Sequence, residues 1–228
     1  SLYTFIITEV GIQDKSYEEI QAHQSKISGG INAAIRLQTK HLENDVVVLI
    51  DPYKPTTGSA PRSLTADVAL FTRGSDNSLT LSGNPFILDT PGEIDSKGVL
   101  VTGIPGHTED SIMFRVDIEG VSMAHLGLIK ESLTSAQLEV LSHIDIVFIP
   151  VGNTHAFDTE AATKAINSLE PRIIIPIAFK SDNDPDAVSP DAFIRSLGHQ
   201  VPSEEKKVII KKKDLPEEET RVILLGKE

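Results

Sequence analysis

Residues 145–177 read DIVFIPVGNTHAFDTEAATKAINSLEPRIIIPI. Asp145–Pro150 and Arg172–Ile177 are short, nearly unbroken apolar runs, the pattern of strands buried on both faces. Between them, Thr159–Leu169 sets Ala161, Ala162, Ala165, Ile166 and Leu169 on one face at helical spacing, with Asp158 as its N-cap. Strand, helix and strand in that order imply a parallel pair joined by a right-handed crossover. Downstream, Pro190–Leu197 reads as a helix, and Lys207–Lys211 and Thr220–Leu225 as closing strands. Upstream, Thr134–Leu141 reads as a helix capped by Thr134 or Ser135.

Before Thr134 the chain is mostly strands with short turns. Ile112–Ile118 and Val121–Leu126 form a hairpin around Glu119-Gly120. Leu2–Glu9, Ile31–Gln38, Asp45–Asp51, Val68–Phe71, Pro85–Leu88 and Val99–Ile104 complete the set, with a turn at Asp89-Thr90-Pro91-Gly92. Asp14–Ser25 reads at best as a weakly amphipathic helix, Gly29-Gly30 punctuates the chain, and the loop that runs to Arg62 reads as a surface flap or a disordered turn. Hairpins first and a β-α-β unit later predict an α/β fold, an αββα sandwich of two mixed sheets flanked by helices. Residues 1–228 read as one domain, and 1–25 as an added N-terminal element.

The chain has 228 residues, 39% hydrophobic, with no Trp, so Ile, Val, Leu and Ala must carry the core. Its formal charge of −12 argues against nucleic acid or an anionic membrane as partner, since both need clustered Lys and Arg. Lys211-Lys212-Lys213 is followed at once by acids and reads as a solvated strand end. The absence of cysteine excludes disulfides, thiolate zinc sites, iron–sulfur clusters and a cysteine nucleophile, and fits the cytoplasm. No apolar run approaches the ~20 residues a membrane helix needs. The first residues, SLYTFIITEVG, lack the basic flank of a signal peptide and start at Ser.

Ordered short motifs carry a family resemblance. They include Asp51-Pro52-Tyr53, Ala66-Asp67, Asp89-Thr90-Pro91-Gly92-Glu93, Gly103-Ile104-Pro105, His125-Leu126-Gly127, Ile149-Pro150-Val151-Gly152, Leu169-Glu170-Pro171 and Asp214-Leu215-Pro216-Glu217. From about Ile31 to Leu225 the chain resembles the metallo-β-lactamase-fold hydrolases, in particular the subgroup similar to ascorbate-6-phosphate lactonase. The resemblance implies two zinc-like ions at the mouth of the sandwich, activating a shared water. Their signature, H-x-H-x-D-H, would follow the Ala66 strand. In ADVALFTRGSDNS, residues 66–78, those ligand positions fall on Arg73, Ser75, Asn77 and Ser78. The family's next histidine is kept as His107. Its bridging aspartate is Leu128, its late histidine is Ala178, and a histidine near the first strand appears as Asn32.

At most one inherited ligand survives, and Arg73 adds a fixed positive charge where a cation would bind. Zinc needs about three or four His or carboxylate ligands. The expectation is therefore no metal cofactor at the family position. A rebuilt site would have to draw on Asp76, His107 and Asp110. Arg73, His107 and His155 are the candidate ligand-binding residues, and His125 reads as structural. Ser75 and Ser78 have no sequence-visible base, and Gly29-Gly30 is no phosphate loop. Asp182, Asp184 and Asp186 lack the rest of a calcium loop and read as an acidic surface. The reading is a catalytically inactive binding or assembly module whose partner is a protein or a small anion. Residues 1–25 are the place for a partner or self-contact. The alternative is a zinc- or manganese-dependent hydrolase of a phosphodiester, lactone or similar ester, acting through a rearranged site.

Overall fold

The computed structural model describes residues 5–9, 34–41, 44–54, 62–181 and 184–226. Two mixed sheets face each other. The six-stranded sheet runs in the order Val208–Ile210, Phe5–Glu9, Ile35–His41, Asn44–Ile50, Val68–Leu70, Phe86–Leu88. Its first three pairings are antiparallel and its last two parallel. The seven-stranded sheet runs Arg221–Val222, Ile173–Ile177, Ile146–Pro150, Val121–His125, Ile112–Ile118, Val99–Pro105, Gly92–Ser96. Here the first three pairings are parallel and the rest antiparallel.

Side-chain alternation explains the layers. Ile146, Phe148, Ile173 and Ile175 point inward and meet Val48, Val68 and Leu70 of the other sheet. Their neighbours Val147, Ile149 and Ile174 point outward, where helices cover them. The covering helices are α2 (Thr159–Leu169), through Ala162, Ala165, Ile166 and Leu169, and α3 (Asp191–Ser196), through Phe193 and Ile194. Two-sided burial is why these strands read as unbroken apolar runs.

Helix ends are set as the sequence suggests. Asp158 accepts the Ala161 N–H at 2.8 Å, and α2 stops at Glu170 in a left-handed conformation, φ 47°. The helix Ser135–Val140, α1, is capped by Thr134 rather than Ser135. Thr134 and Gln137 cap each other, and the Gln137 amide donates to the Pro105 carbonyl at 2.9 Å, tying α1 to the sheet.

Several expectations change. The strand expected at Ile31–Gln38 runs Ile35–His41. The polar, largely exposed strand Gly92–Ser96 stands where a turn and connector were expected. It hairpins onto Val99–Pro105 through Lys97 and Gly98, both at positive φ. Phe5–Glu9 does not offer a free edge to a partner, because Ile35–His41 and Val208–Ile210 pair with it on either side. Among the described residues, the outer face of the six-stranded sheet carries no helix. Val47, Leu49 and Ala66 are covered there by the ribbon Leu64–Thr65/Leu81–Ser82. The helix expected at Asp14–Ser25 lies outside the described residues.

Asp67 closes one side of the sandwich. Its carboxylate accepts the Val47 N–H at 2.8 Å and an ion pair from Lys97 on the opposite sheet's hairpin. Burial alone would raise this carboxyl. The Lys97 ammonium and the Val47 N–H outweigh it and hold the group below the usual carboxylate range. A depressed folded-state value stabilises the fold above the unfolded value, near pH ~3.9, and the contribution fades as pH falls through the folded value. Lys97→Met should lower stability at pH 7 by less than about 1 kcal/mol, because Lys97 is half exposed. It should also flatten the fall in stability below about pH 4, as read by urea unfolding across pH.

Candidate functional site

The loops that leave the strands Val68–Leu70, Val99–Pro105, Val121–His125 and Ile173–Ile177 carry every described position singled out above for a metal. Two contacts lock three of these loops together. The Thr72 carbonyl accepts the Ile112 N–H at 2.9 Å. At Gly127, φ 65°, a β-carbon would lie 3.0 Å from Thr72 Cβ and 3.1 Å from the Ile112 carbonyl, so only glycine fits without displacement.

The loop after Leu70 is held from beneath by Asp51. This aspartate is buried, sits at φ 52°, and accepts both the Thr72 N–H and the Thr72 hydroxyl at 2.7 Å. Two residues on, the Tyr53 hydroxyl accepts the Arg73 N–H at 2.9 Å and donates to the Gly74 carbonyl at 3.0 Å. The Arg73 guanidinium lies over the Tyr53 ring, 4.9 Å from its centroid, and Phe71 packs against the same ring. Burial, with the Asp51 charge adding to it, pushes the Tyr53 phenol well above its usual range, so it stays protonated as a donor. Arg73 Nε is buried without a hydrogen-bond partner, and the guanidinium has no carboxylate partner among the described residues.

The other positions have partners of their own. Ser75 Oγ donates to Asp89 Oδ2 at 2.6 Å, Asn77 O accepts the Lys54 N–H at 2.9 Å, and Ser78 bridges to Tyr53. His107 and Leu128 line one small cavity of about 40 Å³ with Ser111 and Glu131, while Leu128 also packs toward the inter-sheet core. Ala178 lies in that core at φ 56°, its methyl buried. Asn32 falls outside the described residues.

The rebuilt donor set is not assembled. Asp110 sits exposed in a tight turn closed by Thr108 and Ser111, Asp76 is exposed, and neither lines the His107 cavity. Among the described residues no three His, Asp or Glu side chains come close enough to hold a metal. His155 is exposed on the loop after Pro150 and does not reach the His107 cavity, and its N–H donates to Asn153 Oδ1 at 2.9 Å. His125 is buried beside Phe148 and accepts the Gly127 N–H, a packing role as expected. The residues the sequence reading passed over are Asp51 and Tyr53. Their only sequence signal was the Asp51-Pro52-Tyr53 motif.

A family model described as the beta-lactamase superfamily domain matches residues 39–178. The chain belongs to that superfamily. A protein from Thermococcus onnurineus named a metal-dependent hydrolase is 22% identical over 195 residues, covering 66% of this chain and 84% of that protein. A metallo-β-lactamase superfamily protein from Thermotoga maritima, a candidate Zn-dependent hydrolase, superposes with a TM-score of 0.70 at 23% identity. That match covers 97% of this chain and 98% of the other. A metallo hydrolase from Ignicoccus hospitalis superposes with a TM-score of 0.59 at 13% identity, covering 91% and 98%. These likenesses establish the αββα metallo-β-lactamase fold.

The metal pair that the superfamily fold implies does not fit the side chains present. The positions that the resemblance assigns as ligands carry a guanidinium, two hydroxyls, an amide, an isobutyl group and a methyl, with one imidazole, while the Asp89 carboxylate is engaged by Ser75 and Asp76 joins no donor set with His107 among the described residues. Divalent ions of this class take imidazole, thiolate and carboxylate donors. The loop instead depends on the Asp51 clamp. Asp51→Ala removes the acceptor for two buried Thr72 donors and should cost about 2–3 kcal/mol in urea unfolding, with Asp51→Asn costing less.

Proposed function

We propose that this chain keeps the metallo-β-lactamase fold as a binding or assembly module, with the metal centre exchanged for a fixed cation at the mouth. The observation that carries this reading is Arg73. It rests on Tyr53 and has no carboxylate partner among the described residues, and the resemblance puts it at the family's first ligand position. A guanidinium held by its stem over an aromatic ring presents its outer N–H groups to a small anion or to an acidic side chain of a protein partner. Ser75 and Asp89 hold the rest of the loop in place. Ser75 Oγ donates to Asp89 Oδ2, but no imidazole is bonded to that pair among the described residues, which favours recognition over metal-free hydrolysis in this reading.

A second reading is favoured by the relatives, which are named as metal-dependent hydrolases. In that reading the chain hydrolyses a phosphodiester, lactone or similar ester through a rearranged zinc or manganese site that includes His107. The donor set around His107 speaks against it.

One preparation separates the two. Protein purified without chelator or metal-affinity resin, then incubated with zinc and manganese and desalted, is assayed for metal by mass spectrometry. The expected content is below about a tenth of an equivalent per chain. One or two equivalents, lost on His107→Ala, would establish the hydrolase reading instead. On the same material, calorimetry with inorganic phosphate should show binding that Arg73→Gln weakens by about tenfold. Equal binding by the two proteins would remove Arg73 as the anchor.

A further inference from the structure

The seven-stranded sheet also carries a groove beside the mouth, separate from the loop that holds Arg73. It opens between the loop after Pro150, the start of α2 and the segment leading into α3, with a volume of 450 Å³, within the range of small-molecule sites. Its lining includes Phe157, Phe193, Ala192 and Val188, with Lys130 and Asp158 as its charged groups.

The walls are built to stay in place. At Gly152, φ 93°, a β-carbon would lie 2.4 Å from the Val188 carbonyl, so the two loops touch backbone to backbone. The Val188 N–H donates to the Gly152 carbonyl at 2.9 Å, and the Asn153 amide donates to Asp184 at 2.6 Å. A groove fixed in this way exists before its ligand arrives, which removes part of the ordering cost of binding. Val188 nevertheless leaves 64% of its surface in water.

The two charges are not equivalent. Asp158 is committed to α2, where its carboxylate accepts the Ala161 N–H and faces the positive end of the helix. The Lys130 ammonium makes no ion pair among the described residues. Its nearest acidic neighbour in sequence, Glu131, accepts the Lys130 backbone N–H at 3.4 Å and makes no ion pair with the Lys130 ammonium among the described residues. The uncommitted charge at the groove is therefore positive and stands beside exposed apolar surface.

We infer that this groove binds a small organic monoanion with an apolar body. The body would lie on Val188 and Ala192, above the buried rings of Phe157 and Phe193, and the acid group would pair with Lys130. The inference does not depend on what occupies the mouth.

The test is a ¹H–¹⁵N NMR titration of the full chain with octanoate. Saturable shifts are expected at the amides of residues 151–159 and 188–193. Ala192→Trp, which fills the groove from an exposed position, should weaken binding by about tenfold or more. Lys130→Glu, or replacing octanoate by octan-1-ol, should weaken it by about threefold to tenfold. Val188→Asp serves as the second groove variant if Ala192→Trp disturbs the fold, and should also weaken binding. Absence of saturable shifts at those amides, or octanoate binding unchanged in folded groove variants, would overturn the inference. Equal binding of octanoate and octan-1-ol would overturn the assignment of an anion.

Discussion

Everything in this molecule hangs on strands that are buried on both faces. Ile146–Pro150 and Ile173–Ile177 are covered inside by the opposing sheet and outside by α2 and α3. A strand so placed can expose no polar side chain on either face, and its backbone groups must all be paired within the sheet. That constraint fixes where helices can lie and which way the strands run. It also places the ends of the parallel strands side by side, so the loops that leave them converge. The mouth is a by-product of the core.

The core and the mouth are nonetheless chemically independent. The inter-sheet core is largely aliphatic, with Phe114 and Phe148 fully buried in it and His125 packed against Phe148. The loops hold Arg73, Ser75, Asn77, His107 and Leu128. Substitutions there change what the molecule can bind while leaving the apolar layers as they are, which is why a shared fold does not imply a shared reaction. Three loops keep their shape through contacts that do not involve the side chains of Arg73, Ser75, Asn77, His107 or Leu128: the Asp51–Thr72 clamp, the Gly127 approach, and the Tyr53 hydroxyl between Arg73 and Gly74. The scaffold of the mouth is thus backbone and buried polar groups, and the side chains that face outward vary on top of it.

How much of this the chain discloses before folding depends on the range of the interactions. Apolar runs such as Ile173–Ile177 and the face of α2 are local signals, and both stand where they were expected. The strand Gly92–Ser96 was hidden because an exposed edge strand needs no apolar alternation, and its composition is that of a turn. The strand order around Phe5–Glu9 could not be read either, since pairing across the whole chain leaves no local mark. At the mouth, Arg73 was visible as a misplaced cation. Its seat on Tyr53 was not, because the two residues are twenty positions apart and only the fold brings them together. The same holds for Asp51, whose two hydrogen bonds reach across 21 positions to Thr72.

The position of Phe5–Glu9 bears on how the chain is made. Ile7 pairs with Val208 on one side and Leu37 on the other, so this strand joins the hairpin Ile35–Ile50 to a strand made much later. While a ribosome is still extending the chain, that strand has a neighbour on one side only. The edge that Val208–Ile210 will cover stays open until those residues have cleared the exit tunnel. Pairings of such long sequence separation form slowly, and an open apolar edge is a site for wrong partners in the interval. Closure of the six-stranded sheet therefore waits until Val208–Ile210 has emerged. The nascent protein passes through a stage in which the six-stranded sheet lacks only the strand that seals it.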